Sequence, residues 1–281
     1  MLNAEVIKKI EDFVYNKPRS IQEIAQHLGK NWRTADRYVE EISKEFATIS
    51  SRVFRKGTRE ALKIVYWSSI EKVSSGIFQE KLEQEIFSFK TKEQFSAFDI
   101  YQHVPDKNKK TIIEYNPSEN SKELKELKEL FEKAEKQVII FSGNLSLLNS
   151  KYKNFDMMKI LEELVKKDIR IKIICRIDII GIENLEKILS LNFKNGKENI
   201  EIRHREQPVR AFVIDNKIIR LKEIKEPTGK MGELNKRIFI FYTIKDKEWA
   251  EWLSKIFFKM FSQSIDAKKR LEELRKMNYK N

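Results

Sequence analysis

The chain has 281 residues, 41% of them hydrophobic and 35% charged, with a net charge of +13. This length suits two domains better than one, the apolar share is enough for real cores, and no apolar run approaches a membrane span. One cysteine, Cys175, excludes an intrachain disulfide framework, and with three scattered histidines it argues against the usual zinc ligand sets.

The expectations from composition are therefore a soluble cytoplasmic protein with no cofactor, no metal and no membrane partner. Its strong positive charge favours a polyanion, nucleic acid first. The N-terminal stretch MLNAEVIKKIEDF is amphipathic and charged, unlike a signal peptide.

In chain order, Val6, Ile7, Ile10, Phe13 and Val14 form one helical face, which Pro18 closes. The stretch from Ser20 to Lys44, SIQEIAQHLGKNWRTADRYVEEISK, then reads as two helices joined by a tight turn. Ser20 and Glu23 have the spacing of a capping box, and Gly29 suits the left-handed residue that ends a helix. Asn31 caps the next helix, whose apolar stripe is Ala35, Val39 and Ile42. Its other face carries Trp32, Arg33, Thr34, Asp36 and Arg37. Arg33 and Arg37 lie one turn apart, and their planar forks match guanine edges or phosphates. This is a helix-turn-helix pattern with a second helix suited to a DNA major groove.

Two strand-like stretches follow, FATISSRVF and ALKIVYW, joined by RKGTRE with Gly57 at the turn. Three helices and a hairpin make a winged helix, with Arg55, Lys56 and Arg59 at the wing tip. Ile70 to Phe89 has a helical rhythm and is a candidate to pair with its copy. The region from Lys90 to Pro117 is the least readable, apart from a strand at TIIEY.

From Ser118 the pattern alternates helix and strand. The strands are QVIIFSGN, IRIKIICRI, NIEIRHRE, the hairpin VRAFVIDNKIIRLKE with its turn at Asp215 and Asn216, and KRIFIFYTI. The helix KEWAEWLSKIFFKMF closes the core and a charged helical tail ends the chain. Continuous apolar strands alternating with helices indicate a largely parallel buried sheet plus a hairpin. The division is 1–68 as the winged helix-turn-helix, 69–117 as a linker helix and the start of the second domain, 118–263 as the second domain, and 264–281 as the tail. The fold class is α/β, α+β overall, with a mixed sheet in the second domain.

LGKNWRTADRYVEEI resembles the winged-helix domains of archaeal and bacterial transcription regulators. Residues from about 120 to 263 resemble the phospholipase D-like domain attached to such regulators in the archaeal TrmB-type family. ELFEKAEKQVIIFSGNLSLL, DIRIKIICRI, EIRHREQP, RAFVIDNKIIRL and KEWAEWLSKIFFKMFSQS carry that resemblance. Active members of the superfamily have a His-x-Lys-x-x-x-x-Asp motif, and the corresponding run here is Pro208 to Asp215. Pro208 stands where the nucleophilic His would be, Arg210 keeps a cation at the Lys position, and the Gly-Ser-x-Asn segment is missing.

The resemblance implies a non-enzymatic, sequence-specific transcription regulator that binds double-stranded DNA. It also implies a homodimer and an anion pocket at Arg210 for a small effector, and Ser142 and Asn144, at the end of a strand, are further candidate pocket residues. In open α/β sheets ligands bind beyond the carboxyl ends of strands. Two alternatives stand beside it: a phosphodiesterase or nuclease with a displaced site, and a nucleic-acid-binding structural protein without sequence preference. His27 reads as a surface residue of the first helix of the motif, His103 and His204 lack the partners that catalysis needs, and Trp249 and Trp252 read as core.

Overall fold

The computed structural model describes residues 4–15, 17–45, 48–56, 60–67, 75–115, 121–152, 155–196, 198–227 and 236–278. At the N-terminus, α1 (Ala4–Tyr15) precedes the short strand β1 (Arg19–Ser20), α2 (Ile21–Leu28) and α3 (Trp32–Glu45). Strands β2 (Ile49–Lys56) and β3 (Glu60–Trp67) form an antiparallel hairpin, and β1 adds to its edge in the order β1-β3-β2.

The local chemistry is the one expected. Ser20 Oγ accepts the Glu23 N–H, and the Glu23 carboxylate accepts the Ser20 N–H, which completes a capping box. Gly29 takes φ 62°, a left-handed conformation that costs a residue without a Cβ little. Asn31 Oδ1 accepts the Thr34 N–H at 2.9 Å. Ile10, Val14, Ile24, Ala35, Val39, Ile42 and Ile49 meet in a compact core of their own. This is the arrangement of a winged helix-turn-helix.

After α4 (Ser75–Ser88) and α5 (Ala97–Tyr101), one eight-stranded sheet organises the rest of the chain. Its strands are β4 (Lys109–Glu114), β5 (Gln137–Phe141), β8 (Arg170–Cys175), β9 (Ile200–His204), β10 (Ala211–Ile214), β11 (Ile218–Lys225), β12 (Ile238–Ile244) and β13 (Ile265–Asp266). A separate two-residue pair, β6 (Lys151–Tyr152) with β7 (Phe155–Asp156), lies outside it. The order is β13-β9-β8-β5-β10-β11-β12-β4.

The expectation of a largely parallel sheet is corrected by this order. Only β5, β8 and β9 run parallel, and every other pairing is antiparallel. Continuous apolar runs reflect burial on both faces and do not by themselves specify strand direction. Here α6 (Lys122–Glu132), α7 (Met157–Lys166), α8 (Ile182–Asn195) and α10 (Ala267–Asn278) cover one face. The other face is covered by α9 (Lys247–Ser262) with α4 and α5.

Three segments acquire their place only here. The strand read at TIIEY is β4, the sheet edge against β12. The α4 residues Leu82 and Ile86 are buried in the core shared with α9, so that face of the helix is already used within the chain. The charged tail is α10, and its Ala267 and Leu274 are buried against the sheet. Residues 68–74, with Ile70 and Val73 of the expected linker helix, lie outside the described residues.

The winged helix is packed on the sheet. Phe54, Leu62 and Ile64 of its hairpin join the core formed by α5, α9 and the sheet. The Phe54 ring meets Phe98 edge-on at 6.1 Å and Tyr242 at 6.2 Å. Among the described residues, no helix is long and apolar enough to cross a membrane.

Candidate nucleic-acid interface and anion cleft

The outward face of α3 combines residues with different local roles. Asn31 is exposed, with its side-chain oxygen occupied by the Thr34 N–H. Trp32 is half-buried and packs against the N-terminal core. Arg33 and Arg37 are exposed, with their guanidinium groups 5.6 Å from the Trp32 ring and 5.4 Å from the Tyr38 ring. Thr34 is half-buried beside them.

Two acidic residues of α3, Asp36 and Glu40, turn to the hairpin. Lys63 of β3 lies 2.6 Å from Asp36 and 2.9 Å from Glu40. That leaves Arg33 and Arg37 without a carboxylate ion pair among the described residues. On the wing, Arg55 is exposed on β2, while Gly57, Arg59 and the Lys56 side chain lie outside the described residues. Arg52, which the sequence reading did not single out, pairs with Asp106 at 3.0 Å and so ties β2 to the loop before β4.

In the second domain, Ser142, Asn144 and Arg210 line one cleft of about 610 Å³ between α6 and the sheet. Ser142 directly follows β5. Its Oγ accepts the Leu145 N–H at 3.2 Å and its carbonyl accepts from Gln207 at 2.9 Å. Asn144 Oδ1 accepts the Ser146 N–H at 3.3 Å. These contacts shape the strand-to-helix turn. Arg210 pairs with Glu93 at 3.3 Å, and burial lowers its pKa from the usual arginine value.

Asp215, at the far end of the run from Pro208, has a different role. Its carboxylate accepts the N–H groups of Glu135, Lys136 and Gln137 at 2.9, 2.8 and 2.9 Å. Asp215 and Asn216 both take positive φ, and the Lys217 N–H donates to the Ile214 carbonyl at 2.9 Å. That is a type I′ turn, and the aspartate fastens it to the start of β5.

The structure adds residues that strand patterning missed. Lys92, Arg176, Arg205, Arg220, Lys222 and Glu123 line the same cleft. Lys92 Nζ donates to the carbonyls of Val209 at 2.6 Å and Ser142 at 3.3 Å, and burial pushes its pKa well below the ordinary lysine value. Arg220 is the clearest case with a sequence signal, a charge inside the apolar run IIRLKEI.

The histidines have structural contacts. His27 stacks on Phe13 at 4.0 Å and His103 on Phe78 at 4.0 Å. His204 Nδ1 accepts the Ile177 N–H at 2.8 Å. Trp249 and Trp252 are buried in the α9 core, as expected. Cys175 is buried, which pushes its thiol pKa up to about 12 and leaves it inert at neutral pH.

No family model and no curated protein matches the chain. Among solved structures, Nuc from Salmonella typhimurium, a phospholipase D family member, is similar at 14% identity and a TM-score of 0.39, over 56% of this chain and 97% of that one. TrmBL2, an archaeal chromatin protein described with a novel mode of DNA binding, is similar at 11% identity and 0.40, over 95% of both chains. NucT from Helicobacter pylori is similar at 15% identity and 0.37, over 56% of this chain and 99% of that one.

Proposed function

We propose that the protein is a sequence-specific DNA-binding transcription regulator that acts as a homodimer. In this reading the larger domain is phospholipase D-like without phosphodiesterase activity, and it joins the two copies and senses a small anionic ligand. The observation that carries the reading is the outward face of α3. Two exposed arginines stand one turn apart near the N-terminus of the second helix of a helix-turn-helix, while the neighbouring acids pair with Lys63. A groove-inserted helix uses side chains near its N-terminus to reach base edges, and unpaired arginine forks can contact guanine bidentately. Arg55 on the wing supplies a further cation for a flanking phosphate.

The inactive reading of the second domain rests on side-chain chemistry. Pro208 has no group that can attack phosphorus or carry a proton, and Asp215 is engaged by three backbone N–H groups. The imidazole on β9, His204, already accepts a hydrogen bond from the Ile177 N–H.

The test is selection of bound fragments from random duplex DNA, followed by affinity measurements on the selected site. Arg33→Ala and Arg37→Ala should each weaken specific binding by about 1–3 kcal/mol if the residue contacts a base. Selection of no preferred sequence, or full affinity in both variants, would defeat the reading.

A further inference from the structure

The β10–β11 hairpin places like charges side by side on the face that α6 covers. Lys222 donates its N–H to the Arg210 carbonyl at 2.9 Å, so these residues oppose each other across the hairpin. Arg220 pairs with Phe212 in the same register and therefore shares that face. Like charges directly opposite each other on a sheet repel, so a hairpin with no use for them loses stability by keeping them.

Their partners satisfy them only in part: Arg210 is paired with Glu93 at 3.3 Å, and the other two cations are less well matched. Arg220 is 2% exposed, and its Nε and Nη2 groups have no hydrogen-bond partner. Glu123 and Glu126 pair with its guanidinium at 3.9 and 3.8 Å, beyond hydrogen-bonding distance, and Thr243 Oγ1 accepts from Nη1. Lys222 has no carboxylate ion pair among the described residues; it rests 4.8 Å from the Phe239 ring and 5.5 Å from the Phe241 ring. Burial lowers its pKa below the ordinary lysine value. Arg205 likewise has no ion pair among the described residues, and its guanidinium lies over Phe87 at 5.5 Å.

The same cleft has an apolar wall. Leu124 and Leu127 of α6, Phe141, Phe212 and Phe155 line it beside the cations. A buried guanidinium with unused donors, a neighbouring ammonium with no carboxylate at ion-pair distance among the described residues, and an aromatic wall together match one kind of molecule.

We propose that this cleft binds a small molecule with a compact anionic head on an apolar body, the head held by Arg220, Lys222 and Arg210 and the body against Phe212 and Leu127. Phosphate and carboxylate heads share the chemistry the arginines recognise. The site rests on the ligand-sensing part of the function proposed above and gives the ligand its class. It extends the role of Arg210 by two cations on the next strand, which reach the ligand from beneath α6.

The test is calorimetric titration of the full chain, without DNA, using phenyl phosphate, phenylacetate, inorganic phosphate and benzyl alcohol. One of the two aromatic anions should bind at least tenfold more tightly than inorganic phosphate or benzyl alcohol, and which of them wins assigns the head. Lys222→Met should weaken that binding at least tenfold with the fold intact by circular dichroism. Arg220→Met should abolish it; if that variant fails to fold, the doubly substituted Lys222→Met, Arg210→Met protein replaces it. No binding of either aromatic anion at millimolar concentration, equal binding of inorganic phosphate, or unchanged affinity in Lys222→Met overturns the proposal. DNA affinity measured on the same preparations without probe reports separately on the regulator reading, so either can fail alone.

Discussion

The Lys225 ammonium lies 3.2 Å from Glu23 Oε2, the carboxylate oxygen that also receives the Ser20 N–H at 2.7 Å. One carboxylate thus caps the first helix of the helix-turn-helix and binds it to β11. Lys225 also reaches Glu223 at 3.1 Å, and Glu223 accepts from Ser96 on the segment before α5. The link is enclosed, with the Lys225 side chain 12% exposed.

Breaking an enclosed pair leaves uncompensated charge, so Lys225→Met should destabilise the protein by about 3–5 kcal/mol in urea unfolding. Burial works against the Lys225 charge, but Glu223 and Glu23 outweigh it and hold its pKa above the ordinary lysine value. The stabilisation is therefore complete below about pH 10.4 and is lost as pH rises through the folded-state value. The stability gap between parent and variant should stay open through neutral pH, narrow in that alkaline range, and narrow also in acid as Glu23, whose pKa Lys225 helps to lower, takes up its proton. A gap that closes near neutral pH would show that the ion pair is not its source.

Asp215 should matter for stability. It accepts three backbone N–H groups at the start of β5 from a turn it shares with Asn216. Asp215→Ala should cost on the order of 3 kcal/mol, since hydrogen bonds to a charged group contribute more than neutral ones. Asp215→Asn keeps one acceptor oxygen and should cost less. Equal losses in the two variants would mean that a neutral acceptor oxygen contributes nothing here and that the carboxylate charge carries the whole effect.

Two groups, the half-buried His103 and the buried Glu123, give opposite pH dependences. Burial, with Lys109 and Lys81 nearby, lowers the His103 pKa to about 4. Above about pH 6.5 the ring is neutral in both states. As pH falls from there toward 4, the unfolded chain gains a proton that the folded chain refuses, and stability declines by up to about 3 kcal/mol. Burial raises the Glu123 pKa to about 7 despite Arg220 beside it. Between about pH 4.5 and 7 the unfolded chain loses a proton that the folded chain keeps, so stability declines as pH rises. His103→Phe should remove the acid-side loss, and Glu123→Gln the loss on approach to neutrality. Urea midpoints taken from pH 4 to 8 check both, and parallel curves for parent and variants would refute the assignments.

The assembly and inactivity readings are tested on the full chain, because β4 belongs to the sheet and a fragment starting at Ser118 would lack that edge strand. Sedimentation should give a dimer at micromolar concentration, and an operator with inverted half-sites about one helical turn, or a multiple of it, apart. A monomer at that concentration would end the dimer reading. The purified protein should not cleave phosphodiesters in DNA, RNA or lipid. Turnover abolished by Arg210→Ala would show an active centre despite Pro208.

The N-terminal unit was legible because its information is local. A capping box needs Ser20 and Glu23 three residues apart, and a left-handed helix end needs Gly29, so both can be read without knowing what they pack against. The same holds for the turn at Asp215 and Asn216. The cleft was only partly legible. Arg210, Ser142 and Asn144 follow from a motif position and a strand end, whereas Lys92 reaches the cleft from a segment with no periodic pattern.

By itself the sequence determined the helix-turn-helix, the hairpin, the succession of strands and helices, and the absence of a nucleophile at Pro208. Those properties depend on side-chain chemistry and on spacings of a few residues. Tertiary structure alone decided which strands are neighbours, and so that most of the sheet is antiparallel, that β4 closes its edge and that α10 belongs to its core. It also decided that Glu23 meets Lys225 across 202 positions and that Arg220 lies buried beside Glu123 with unused donors. Strand order and the pairing of distant charges arise from how whole faces bury one another, and a local pattern records only that a face is apolar, without recording what covers it.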